Sequence, residues 1–137
     1  MKKKGAYGGL QKKIRALATP AIEVWENEYK DRDYTVKLEV PEFTCICPKT
    51  GLPDFAVIYV EYRPDKWCIE LKSFKLYTIS YRSVGIFHEH AVNRILEDFV
   101  KACRPRWAHI KIVFNPRGGI TTTVEAEYGS YEENRRS

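Results

Sequence analysis

Apolar and polar positions alternate over residues 34–40, with Tyr34, Val36, Leu38 and Val40 against Thr35, Lys37 and Glu39. That is the period of a half-buried strand. Pro41 ends the run and opens a loop that Pro48, Gly51 and Pro53 keep irregular. Residues 55–62 are β-branched and aromatic and predict the paired strand, so the two strands and their loop form a long antiparallel hairpin. Residues 66–70 predict a short strand returning toward the loop. From Leu71 the period changes: Leu71, Phe74, Tyr77 or Thr78, and Tyr81 fall at helical spacing, with Lys72 and Lys75 on a face of their own, until residues 83–85 break the run. The strongest helix follows, with Phe87, Ala91, Ile95, Phe99 and Cys103 at i, i+4 and Asn93, Arg94, Glu97, Asp98 and Lys101 opposite. Pro105 ends it, residues 109–114 predict a strand, residues 115–119 a turn and residues 120–128 a last strand. The order predicts an α+β two-layer domain, ββααββ, with an antiparallel sheet and both helices on one face. It occupies residues 34–129, between an N-terminal arm (1–33, with helical spacing at Leu10, Ile14 and Leu17) and a polar tail (130–137).

Composition narrows the classes. The chain has 137 residues, enough for one domain, and its 44% hydrophobic and 30% charged residues suit a folded globular protein. No apolar run approaches the length of a membrane span, and no apolar stretch follows Met1-Lys2-Lys3-Lys4, so a cytoplasmic location is expected. Four cysteines stand at positions 45, 47, 68 and 103. Cys-x-Cys makes a strained disulfide ring, and in the cytoplasm the thiols stay reduced. The net charge of +5 is concentrated toward the two ends. No helix carries a dense basic stripe with interleaved aromatics, so a phosphorylated small molecule is favoured over nucleic acid as the partner.

Candidate chemistry centres on the loop. Its Pro/Gly geometry can present the Cys47 thiol and the Asp54 carboxyl to one small space, although seven positions separate them. A thiolate and a proton donor are what attack on a polar multiple bond requires; a buried thiol and a turn-capping Asp are the plainer alternative. Glu70-Leu71-Lys72-Ser73 opens the first helix, whose N–H groups and lysines suit a phosphate, or simply form a solvated face. His88 and His90 point about 200° apart on a helix and cannot share a metal ion, so no metal site is expected. Glu89 can complement the helix dipole, or accept two hydrogen bonds from the N–H/NH2 edge of a purine-type base.

Several of these segments together resemble one family. Glu70-Leu71-Lys72-Ser73-Phe74-Lys75-Leu76-Tyr77 fits the signature E-(S/L)-K-(S/A)-h-K-(L/Y)-(Y/F/W) of the NADPH-dependent nitrile reductases of queuosine biosynthesis, the QueF family, at every position. Cys47-Pro48-Lys49-Thr50-Gly51 with Asp54 resembles its nucleophile loop, Phe87-His88-Glu89 its substrate turn, and Pro116-Arg117-Gly118-Gly119 a further turn near the cofactor. The resemblance spans residues 34–128 and implies a tunnelling fold. It further implies reduction of the nitrile of 7-cyano-7-deazaguanine (preQ0) to the aminomethyl base (preQ1) through a thioimide on Cys47, with Asp54 as proton donor. Ile69, Glu70, Leu71, His88 and Glu89 would bind substrate, and Lys72, Lys75, Arg117 and Gly118 would contact NADPH. No G-x-G-x-x-G fingerprint occurs. The implied assembly is a homo-oligomer, a stack of pentamers with sites between subunits. The alternative is the related QueF-like amidinotransferase of archaeal tRNA modification, which lacks the residue 70–77 signature; a tunnelling-fold cyclohydrolase and an RNA-binding domain are weaker rivals.

Overall fold

The computed structural model describes residues 19–130. The helical spacing at residues 10–17 and most of the polar tail lie outside them. The elements are β1 (Val24–Glu26), β2 (Val36–Ile46), β3 (Pro53–Arg63), β4 (Trp67–Ile69), α1 (Leu71–Ile79), a 3-10 turn (Ser80–Ser83), α2 (His88–Cys103), β5 (Trp107–Phe114) and β6 (Thr123–Tyr128). Strands β2-β3-β5-β6 form one sheet in that order, antiparallel throughout. This is the expected ββααββ arrangement in the expected α+β class.

One sheet face makes the core. Ala56, Ile58, Val60 and Tyr62 of β3 and Ala108, Ile110, Ile112 and Phe114 of β5 are buried with Phe74 and Tyr77 of α1 and Ala91, Val92, Ile95, Phe99 and Cys103 of α2. Both helices therefore lie on the same face. Phe99 meets Tyr62 and Phe74 edge-on, with centroids 5.0 and 5.7 Å apart, a favoured aromatic geometry. The opposite sheet face leaves Phe55 and Tyr59 exposed. Between the helices the Tyr77 hydroxyl donates to Asp98 Oδ2 and lies 2.8 Å from the Tyr81 hydroxyl.

Four details depart from the sequence reading. Strand β2 does not end at Pro41. Pro41 and Glu42 together stand opposite Val57, a bulge between the Val40↔Ile58 and Phe43↔Ala56 pairs. Pro41 can sit there because β2 is an edge strand and a bulged residue owes no ladder hydrogen bond. The extra residue also shifts the phase: even positions face inward before it, and Phe43 and Cys45 are buried after it. Alternation read from one end therefore stops at the proline although the strand continues.

Strand β4 turns away from the loop to pair with β1, a strand inside the N-terminal arm, through Val24↔Ile69, Trp25↔Cys68 and Glu26↔Trp67. Helix α1 ends at Ile79, and Tyr81 belongs to the 3-10 turn. Strand β6 starts at Thr123 rather than Ile120, because Gly118 and Gly119 have φ of 59° and 81° and a tight turn closes between Arg117 and Ile120. Positive φ at both central residues is the signature of a type I′ turn.

Candidate active site

Three chain segments converge at the tip of the β2–β3 hairpin. The tip, residues 47–52, closes on itself: the Cys47 amide donates to the Leu52 carbonyl (2.9 Å) and the Gly51 amide to the Cys47 carbonyl (2.8 Å). Gly51 at φ 75° makes that return possible. Just before the tip, the Ile46 amide donates to Val84 O and the Ile86 amide to Ile46 O, both at 2.9 Å. The link between the helices is thereby stitched to β2, and residues 87–89 come to rest beside Cys47. On the other side the Asn115 amide donates to Phe55 O (2.8 Å), tying the β5–β6 turn to the base of the hairpin.

A cavity of about 550 Å³ lies between these segments, lined by Cys47, Pro48, Lys49, Asp54, Ile86, Phe87, His88, Glu89, Arg117 and Ile120. Asp54 is 4% exposed and pairs across the hairpin with Cys45. A buried carboxylate requires partners, and it has two. Oδ2 lies 3.1 Å from His88 Nε2, and Oδ1 accepts from the Arg117 guanidinium. The His88 ring is itself fixed, stacked on Phe114 with centroids 3.5 Å apart and planes 8° from parallel.

The two neighbouring thiols behave oppositely. Hydrogen bonds from the Thr50 hydroxyl hold the half-buried Cys47 thiol below its ordinary value, helped by the Thr50 and Lys49 amides and opposed by burial and the Asp54 charge. Burial, followed by the charges of Asp54 and Cys47, pushes the Cys45 thiol up to about 12. Only the thiolate is a nucleophile, so Cys47 is the thiol suited to attack. All four cysteines are free.

The sequence thus named Cys47, Asp54, His88, Glu89 and Arg117, and one cavity holds all five. Ile69, Glu70 and Leu71 do not line it. Ile69 is buried in the core, its amide donating to the Tyr62 hydroxyl at 2.9 Å. Leu71 is 59% exposed. Glu70 caps α1, accepting from the Ser73 and Lys72 amides at 2.7 and 3.1 Å. These N–H groups are therefore occupied by the chain's own carboxylate. Lys72 and Lys75 are exposed on α1; Lys75 lines a second hollow, about 530 Å³, between α1 and the β2 edge with Lys37, Leu38, Val40, Leu71 and Arg82. Gly118 sits in the β5–β6 turn. Among the described residues no three His, Cys, Asp or Glu side chains converge as a metal ion requires. Sequence reasoning missed Thr50 and Phe114. Thr50 stood within the loop motif, whereas nothing in the sequence marks Phe114.

The family model described as "QueF-like protein" matches residues 53–133. NADPH-dependent 7-cyano-7-deazaguanine reductase of Chlorobaculum tepidum is 56% identical over 112 residues, 82% of this chain and 96% of that protein. The reductase of the same name from Halorhodospira halophila is 57% identical over 107 residues, 78% of this chain and 91% of that protein. Among solved structures, the apo archaeosine synthase QueF-Like superposes with a TM-score of 0.66 at 27% identity, covering 70% of this chain and 94% of that one. With a family model over more than half its length and relatives above half identity across most of it, this chain belongs to the QueF family of NADPH-dependent 7-cyano-7-deazaguanine reductases.

Proposed function

We propose that the chain performs the reaction for which its relatives are named, NADPH-dependent reduction of the nitrile of 7-cyano-7-deazaguanine to a primary amine, with Cys47 as nucleophile. The observation that carries this reading is the meeting of Cys47 with Asp54, His88 and Glu89 in one cavity. The Cys47 thiolate adds to the nitrile carbon, forming a carbon–sulfur bond. One electron pair of the triple bond moves to nitrogen, which takes a proton from the Asp54–His88 pair, giving a thioimide. A thioimide accepts hydride more readily than a nitrile does, and the covalent link keeps the half-reduced substrate from water. NADPH, when bound, would supply two hydride equivalents to that carbon, one from each of two molecules, with one further proton completing the primary amine. When the carbon–sulfur bond breaks, its electron pair returns to Cys47. The Glu89 carboxylate accepts the N–H/NH2 edge of the base.

The residues present suit the cofactor. The hollow between α1 and β2 offers Lys37, Lys75 and Arg82 to phosphates and Leu38, Val40 and Leu71 to a flat ring; Lys72 is exposed on α1, Arg117 lines the Cys47 cavity, and Gly118 follows it in the β5–β6 turn. These cavities are separate within one chain. Edge strands β2 and β6 each have one unpaired side among the described residues, and Leu71, Leu76 and Ile79 are exposed on α1. Open edges favour pairing with another chain. Rings of copies, stacked in pairs, would bring Ile69, Glu70 and Leu71 of one subunit to a neighbour's Cys47. Sedimentation at micromolar concentration is expected to give a ring-sized species; a monomer at that concentration contradicts shared sites.

The second reading is amidinotransfer, suggested by the archaeosine synthase neighbour. Identity of 52–57% to reductases against 27% to that protein favours reduction. Mixing the protein with the nitrile base should give a covalent adduct by mass, and adding NADPH should give two oxidised NADPH per base. Cys47→Ala is expected to lose both; an active Cys47→Ala overturns the nucleophile assignment.

A further inference from the structure

Within the chain, Arg117 touches the acid that serves the nucleophile. We infer that Arg117 is a positioning residue for Asp54, holding its carboxylate toward the Cys47 adduct independently of any contact Arg117 makes with the cofactor. The inference rests on the reading of Cys47 and Asp54 given above.

Asp54 is the second residue of β3. Its side chain is nearly buried, and it could rotate about its last torsion were only one oxygen held. His88 reaches Oδ2 from α2 while Arg117 binds Oδ1 from the β5–β6 turn. Donors on both oxygens, arriving from separate elements, fix the carboxylate plane. The Arg117 side is stiff by construction. Arg117 and Ile120 exchange backbone hydrogen bonds at 2.9 and 3.0 Å around Gly118 and Gly119, so the guanidinium stands on the tight turn. Arg117 also offsets a charge. Asp54 disfavours the Cys47 thiolate, and a cation on Asp54 lessens that penalty. A planar guanidinium suits this better than an ammonium, because its N–H fork matches a carboxylate.

Adduct formation without cofactor separates the roles. In Arg117→Met the rate of adduct formation with the nitrile base alone is expected to fall about 10²-fold, the scale at which a misplaced catalytic group is felt. Arg117→Lys is expected to recover about ten-fold of that loss, since an ammonium still reaches one oxygen. The Arg117 side chain is 37% exposed on a turn, so both variants should fold, Arg117→Met with a lowered melting temperature because the buried Asp54 carboxylate is left one partner short. An Arg117→Met protein that forms the adduct at the wild-type rate, with only KM for NADPH raised, overturns the inference and leaves Arg117 a cofactor contact alone. A wild-type protein that forms no adduct at all overturns the functional reading itself, and this inference with it.

Discussion

The reactivity of Cys47 is set by its nearest hydroxyl. Thr50 contributes the largest effect holding that thiol down, against burial and the Asp54 charge. Thr50→Val keeps the side-chain shape and removes the donor. Iodoacetamide alkylation of Cys47 at neutral pH is expected to slow about ten-fold, the scale of one hydrogen bond to a charged group. Cys45, Cys68 and Cys103 are buried and should react only on unfolding; a Thr50→Val protein labelled at the wild-type rate contradicts this. Cys47 and Asp54 were legible in the sequence because the chemistry demands those residue types and the Pro/Gly loop marks their place. Thr50 stood in the same motif without a role, since a hydroxyl's target depends on how the loop closes. The Arg117–Asp54 pair spans 63 positions, and only the folded sheet reveals it.

At the scale of elements, α1 depends on how it begins. Glu70 caps it, and the amides of Ser73 and Lys72 lower the Glu70 pKa, which is the usual direction for a carboxylate that gains donors. The contribution to stability is therefore present above pH 4.5, the ordinary value, and is lost as pH falls through the lower folded value. Glu70→Gln keeps an acceptor but cannot titrate. Its melting temperature should lie below wild type at neutral pH, with the gap closing in acid; a gap that stays constant with pH rejects the cap as its cause. Ser73 adds a second tie, accepting from the Glu23 amide and donating to Glu70 O, both at 2.8 Å. The residue just before β1, in the N-terminal arm, thus holds the start of the helix. Periodicity found both helices because each has a continuous buried stripe. It missed β1, three residues long, whose only ladder among the described residues is with the equally short β4, and it stopped β2 at the bulge.

For the whole molecule, the ββααββ order was legible because each hairpin and helix has its own period, and the sheet order follows from antiparallel neighbours. Where the arm folds was not legible, since β1 and β4 lie far apart in the chain and neither is amphipathic enough to mark a partner.

The bond between Tyr77 and Tyr81 carries a consequence for strong base. Burial raises both phenols: Tyr77 is pushed further by the charges of Tyr81 and Asp98, whereas the Tyr77 hydrogen bond and the Arg94 charge oppose the rise at Tyr81, which reaches about 12. A group whose pKa rises on folding stabilises the fold below its unfolded value, here 10.0, and loses that contribution as alkali is added. Absorbance at 295 nm should therefore rise abruptly, together with loss of ellipticity, in a late stage at which the helix pair comes apart. Replacing both Tyr77 and Tyr81 by phenylalanine should remove their share of that late stage and carry the ellipticity transition to higher pH.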